Sequence, residues 1–217
     1  KVQAQEAKES VLSESTRTRA QKLSDPKQDD ASKKSQYVIA LDAGHGGKDE
    51  GAVSDDGKLE EKEYNLAVVK EIARLLEQSG VKVYCTRTTD RTVPKKARVR
   101  LANKRQADML VSVHCNASDA RKHSVRGIEV LYSKRDNGAG YTNKQLAAKL
   151  LKKTVAATGL PARGVIRRED LYLMHHAKVP AVIVETGYLT NPSDCLYMRQ
   201  EKGIRQTAWG IYQAAVS

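Results

Sequence analysis

The sequence predicts an α/β fold: one domain whose mostly parallel mixed sheet of about six strands is flanked by helices on both faces. Three observations lead there. Short apolar runs alternate along the chain with segments whose apolar residues recur at helical spacing, the pattern of strands joined by crossover helices. Forty per cent of the 217 residues are apolar, enough for a full core without a metal or disulfide to fold it. No run approaches eighteen apolar residues, so no helical membrane span is expected.

Residues 1–36 are rich in Lys, Gln, Ser, Asp and Glu. Such a composition buries too little surface to fold alone and reads as a linker or tether, leaving 37–217 as the domain. "YVIALD" (37–42) is a continuous apolar run, as expected of a strand covered on both faces. "EYNLAVVKEIARLLEQSG" (63–80) places Leu66, Val69, Ile72, Ala73 and Leu76 on one helical face and stops at Gly80. "VKVYCTR" (81–87) alternates as a strand. "PKKARVRLANKRQ" (94–106) opens a helix with Pro94. "DMLVSVH" (108–114) and "GIEVLYS" (127–133) are strands, and "NKQLAAKLLKKTVAATG" (143–159) is a helix ending at a glycine. "LYLM" (171–174) and "AVIVE" (181–185) are read as strands around Pro180, and the last seventeen residues as a helix.

The net charge is +12. Eight Lys/Arg against six Asp/Glu in residues 1–36 leave +10 on the domain, which implies an anionic partner such as a nucleic acid, an acidic lipid surface or an acidic wall polymer. Nucleic acid ranks well behind the polymer, because aromatics are only 5%, Phe is absent and no recognition motif occurs. Three cysteines, Cys85, Cys115 and Cys195, make no disulfide framework and leave the compartment open.

Ligands of open α/β sheets bind beyond the carboxyl ends of the strands. The first strand runs into "DAGHGG" with His45, "MLVSV" into His114, and "AVIV" into Glu185. The turn before the first helix, "KLEEKEYNL", offers Glu60 or Glu61 on the same edge, at a helix start that favours negative charge. Two imidazoles and a carboxylate with one position open are the ligand set of a catalytic zinc site. An unligated glutamate beside them serves as the acid/base, and Glu185 is placed for it. The glycines around His45 are expected to allow close backbone approach to metal and substrate. Cys115 follows a ligand but points to the opposite strand face, so a buried thiol is expected. His175 in "MHH" reads as half of a surface pair facing the groove.

"LDAGHGGKDEGA", "EKEYNL", "RTTD", "RVRLAN", "ADMLVSVHCNA", "GIEVLY" and "PAVIVETGYLTN" occur in an order that resembles the zinc-dependent N-acetylmuramoyl-L-alanine amidases of the Amidase 3 type, over about residues 37–217. The resemblance implies hydrolysis of the amide between the lactyl group of N-acetylmuramic acid and L-alanine in bacterial peptidoglycan. It implies one zinc per chain held by His45, Glu61 and His114, which selects Glu61 over Glu60, with Glu185 as acid/base. It further points to Asn116 and to Gly187, Tyr188 and Asn191 of the "TGYLTN" loop as groove residues. Arg98 is expected to pair with an acid inside the fold.

Some relatives carry a plugging helix after the strand matching "GIEVLYS". Here the short link "KRDNGAGYTNK" leaves no room for one, so the site is expected to be open unless residues 1–36 cover it. The expected partners are peptidoglycan and anionic wall polymers, with no nucleic acid. A monomer acting outside the cytoplasmic membrane is expected, its linker leading to a signal or anchor.

Overall fold

Strand β1 (Val38–Ala43) lies inside a six-stranded sheet and is buried from Ile39 onward, as its unbroken apolar run requires. The computed structural model describes residues 37–119, 123–135 and 140–217; the expected tether at 1–36 and part of the link after "GIEVLYS" lie outside the described residues. The other strands are β2 (Lys82–Cys85), β3 (Met109–Asn116), β4 (Ile128–Tyr132), β5 (Ala162–Arg167) and β6 (Ala181–Tyr188), in the order β2-β1-β3-β6-β4-β5. All neighbours are parallel except β4 and β6. The sheet is therefore mixed and mostly parallel, and the ends of β1, β3 and β6 share one edge.

Alternation along β1 sorts the two faces. Ile39, Leu41 and Ala43 join one core cluster with Val68, Val69 and Ile72 of α1 (Glu61–Gln78) and with residues of α3 (Asn143–Thr158) and α6 (Glu201–Val216). Ala40 joins the other, with Val99 and Ala102 of α2 (Lys95–Lys104) and Leu173 and Met174 of α4 (Tyr172–His176). A seven-residue helix, α5 (Pro192–Met198), follows β6. Helix α3 starts at a Thr142–Gln145 capping box and ends at Gly159 with φ 72°, a left-handed cap that a side chain would strain.

Two expectations are corrected. "LYLM" is a helical turn, not a strand: four apolar residues carry no decisive period, and Leu173 and Met174 reach the core from α4. The sixth strand is instead "ARGVIR", an edge strand paired only with β4. Its charged and largely exposed residues guard a free edge and hide the strand signal.

Under the β1 end, Asp42 is 1% exposed and accepts from Arg98 Nη1 at 2.7 Å, Thr86 Oγ1 at 2.6 Å and Ser112 Oγ at 2.6 Å. Burial opposes its charge, but the Arg98 guanidinium and the two hydroxyls hold its carboxyl below the ordinary value. Arg98 also donates to the carbonyls of Val93, Ala43 and His45, so it fixes the turn that carries His45. Arg98→Met should cost roughly 3–5 kcal/mol in denaturant unfolding, because it strands a buried carboxylate. A loss below 1 kcal/mol would show that the pair is not structural.

Candidate active site

His45 follows β1 in a turn where it takes φ 58°, an unusual conformation for a residue with a side chain. Its Nδ1 lies 2.8 Å from Asp49 Oδ1. A carboxylate only accepts, so Nδ1 carries a proton, which would leave Nε2 as the ligating atom when a cation takes the place of any proton there. That Nε2 faces Glu61 Oε2 at 3.2 Å.

Glu61 is the first residue of α1 and 3% exposed. Its Oε2 accepts the Ala52 N–H at 2.8 Å, and its Oε1 accepts the Cys115 N–H at 3.0 Å and Asn65 Nδ2 at 3.2 Å. His114, near the end of β3, brings Nδ1 to 2.9 Å from Glu61 Oε1. The two imidazole rings meet edge to face, centroids 5.0 Å apart.

Glu60 turns away to Lys62 at 3.0 Å, so it is Glu61 that joins the histidines. Burial opposes ionisation of Glu61, but His114 and His45 outweigh it and hold the carboxyl well below the usual range.

Donor atoms of His45, Glu61 and His114 all lie within 4.8 Å of one another, and among the described residues they form the one three-donor cluster. The chemistry of the set fits a divalent cation. His45 Nε2 and Glu61 Oε2 face each other at 3.2 Å, and although burial opposes it the carboxylate draws the imidazole toward its charged form. The pair is thus built for positive charge between its atoms, a proton or a cation, and zinc takes imidazole nitrogen and carboxylate oxygen at roughly 2.0–2.2 Å.

Two of the four glycines around His45 clear ligand side chains rather than an open cavity, and Gly46 and Gly47 pack against Arg91 and Thr92. A Cβ on Gly44 would lie 2.3 Å from the His114 ring, and one on Gly51 2.5 Å from Glu61 Oε2. Beside the cluster a cleft of about 210 Å³ is lined by His45, Asp49, His114, Arg98 and Tyr172.

Glu185 on β6 stands in register with His114 on β3, so both side chains rise from the same sheet face on adjacent strands. Its Oε2 is buried with no hydrogen-bond partner among the described residues. Burial pushes its carboxyl up to about 7; the His114 charge opposes this, and Glu61 and Glu129 add to it. Such a group exchanges protons near neutrality, which structural carboxylates seldom do.

The structure places the remaining residues expected in the groove as follows. Asn116 donates to the Tyr188 hydroxyl at 3.1 Å, and Tyr188 donates to Glu129 Oε1 at 2.5 Å. Gly187 packs against α5, where a Cβ would sit 2.9 Å from Met198 Cε. Asn191 caps α5, accepting from the N–H groups of Ser193 and Asp194, and its amide donates to His123 O. Gly187 and Asn191 serve packing and capping, while Asn116 and Tyr188 are joined to each other and to Glu129, which stands opposite Glu185.

Cys115 points away from His114 toward Asn65, Thr186 and Met198, and burial raises its thiol. His175 is exposed beside His176. Residues that sequence reasoning missed are Asp49, which orients His45, and Arg87. The latter is 1% exposed and donates to the carbonyls of Ala43, Gly44 and Lys62. Arg87 opens the "RTTD" segment, where nothing in the local pattern marks a buried arginine.

A three-donor cluster at the strand ends, with an unpaired carboxylate beside it, defines the class: an α/β domain built around a candidate metal centre. Within that class the chain belongs to the N-acetylmuramoyl-L-alanine amidase family Amidase_3, whose signature matches residues 39–217. It is 34% identical over 180 residues to the N-acetylmuramoyl-L-alanine amidase LytC of Bacillus subtilis strain 168, covering 83% of this chain and 35% of LytC. The chain thus spans about a third of that relative's length. The uncharacterized B. subtilis protein YqiI is 33% identical over 174 residues, 80% of this chain and 81% of YqiI. Among solved structures, the catalytic domain of CwlV, an N-acetylmuramoyl-L-alanine amidase from Bacillus (Paenibacillus) polymyxa var. colistinus, aligns with a TM-score of 0.76. That alignment is 32% identical and covers 82% of this chain and 96% of that one.

Proposed function

We propose that residues 37–217 are the catalytic domain of a zinc-dependent N-acetylmuramoyl-L-alanine amidase, which hydrolyses the amide between the lactyl group of N-acetylmuramic acid and L-alanine in peptidoglycan. The observation that carries this reading is the unpartnered Glu185 carboxyl in register with His114 of the donor cluster. His45, Glu61 and His114 would hold one zinc per chain. Zinc supplies Lewis-acid polarisation of the scissile carbonyl and makes water more acidic.

The chain's own groups do the rest. Glu185 accepts the proton of the attacking water and returns it to the L-alanine nitrogen, so the amine leaves neutral and the carboxyl is reset. Asp49 holds the His45 tautomer, and Arg98 and Arg87 hold the turn. Asn116 and Tyr188 border the groove on the side of Glu185.

The +10 charge of the domain suits a wall rich in carboxylates and phosphates, and the reading places the protein outside the cytoplasmic membrane as a monomer tethered by residues 1–36. No helix among the described residues is long and apolar enough to cross a membrane.

Purified peptidoglycan should yield stem peptides with a free L-alanine amino terminus, identified by mass. Chelation should stop the release and added zinc should restore it. Shortened peptides still attached to muramic acid would instead mark a peptidase and contradict the reading.

A further inference from the structure

The face that carries Glu185 continues past it across the sheet. In the antiparallel pairing of β4 with β6, Glu129 stands directly opposite Glu185. On the far side β5 pairs with β4 through an irregularity: Ile128 faces Ala162 but Glu129 faces Gly164, leaving Arg163 as the extra residue. Bulges of this kind re-aim a side chain. Arg163 reaches back to Glu129, its Nε 2.5 Å from Oε1.

Its guanidinium carbon lies 5.3 Å from the centre of the Tyr188 ring. The Glu129 oxygen that holds it also accepts the Tyr188 hydroxyl, so arginine, ring and carboxylate form one rigid unit. Glu129 is 12% exposed at its side chain, whereas Arg163 is 39% exposed. Nε makes the anchoring contact with Glu129 and the guanidinium also meets the Tyr188 side chain, so a ligand would use the remaining Nη hydrogens. Gly164 adds no side chain at the position facing Glu129. Ile166, next on that face, is 39% exposed, an apolar side chain open to solvent one pair along from Glu129.

We propose that Arg163, held by Glu129 over Tyr188, is a specificity-determining residue that binds a carboxylate on the peptide portion of the substrate, close to the cleaved amide. The inference rests on the amidase reading and adds which way the substrate lies: peptide over β4 and β5. The reach fits. β5 is two strand spacings, about 10 Å, from β6, and the Arg163 side chain covers one of them. Two extended residues span at most about 7 Å, which brings the α-carboxylate of the second peptide residue to the fork. A planar guanidinium whose Nε is already bound can still take a carboxylate on its Nη edge.

The test uses two soluble muramoyl peptides that differ only in the second residue, one with a free α-carboxylate and one with the carboxamide. The unaltered protein should prefer the carboxylate by roughly tenfold in kcat/KM, mostly through KM. Arg163→Gln should erase the preference and Arg163→Lys should keep part of it. No preference in the unaltered protein, or an equal loss on both peptides in Arg163→Gln, overturns the anchor; the equal loss would leave Arg163 as support for Tyr188 alone.

Binding of the same pair to Glu185→Gln protein, measured by calorimetry, needs no turnover. Carboxylate preference there with no cleavage by the unaltered protein would sink the amidase reading and keep the anchor, whereas cleavage without preference would do the reverse.

Discussion

Glu185→Gln should lower kcat by roughly 10²–10⁴-fold, the contribution of a positioned proton acceptor and donor, while the protein keeps one zinc per chain. The same substitution should stabilise the metal-free protein at alkaline pH. The folded-state carboxyl titrates at about 7 against an ordinary value of 4.5, so the folded chain binds the proton more tightly than the unfolded one. Its contribution is fully present below pH 4.5 and is lost as pH rises through 7, in total roughly 3 kcal/mol.

Glutamine has no charge to bury. Unfolding by urea should therefore show the variant and the unaltered protein nearly equal at pH 4.5, with the variant ahead at pH 8. Parallel stability curves across that range would mean that Glu185 is not held in a desolvated site. A variant that gains stability and loses turnover separates a functional group from a structural one.

Glu61→Ala carries the second large effect. It removes a proposed ligand and also the acceptor shared by the Ala52 and Cys115 N–H groups and the Asn65 amide. Metal retained after dialysis should fall to a small fraction of one per chain, and activity on the order of 10³-fold or more, since the hydrolysis depends on the ion. Metal-free stability should also drop by roughly 2–3 kcal/mol, because buried donors lose their partner. Glu60→Ala, one residue earlier, removes a surface pair with Lys62 and should change metal content little. Equal effects of the two substitutions would break the assignment of Glu61.

Much of this site is legible in the sequence because strand ends are. A continuous apolar run followed by a histidine locates both His45 and His114 on one edge, and "AVIV" locates Glu185 there too. The register of β3 and β6 then turns a shared edge into neighbouring side chains. The choice between Glu60 and Glu61 is invisible to charge patterning, because both sit at the start of α1. It is decided by which side chain the helix points under the β3 end.

Asp49 is unreadable for a different reason: an acid in a glycine-rich turn looks like any solvated turn residue until the fold brings it onto Nδ1 of His45. Arg163 is hidden because β5 is an edge strand, where arginine and glycine replace the apolar pattern; Glu129 lies in a legible strand, but its place opposite Glu185 appears only with the antiparallel pairing. The misread "LYLM" shows the converse, a four-residue apolar run that serves a helical turn as readily as a strand.

The most direct test of the account is diffraction from crystals grown with zinc, recorded above and below the zinc absorption edge. One anomalous peak per chain is expected, within coordinating distance of His45, Glu61 and His114 and of no other side chain. A peak seated elsewhere, or none at full zinc occupancy of the solution, would contradict the metal centre on which the proposed hydrolysis depends.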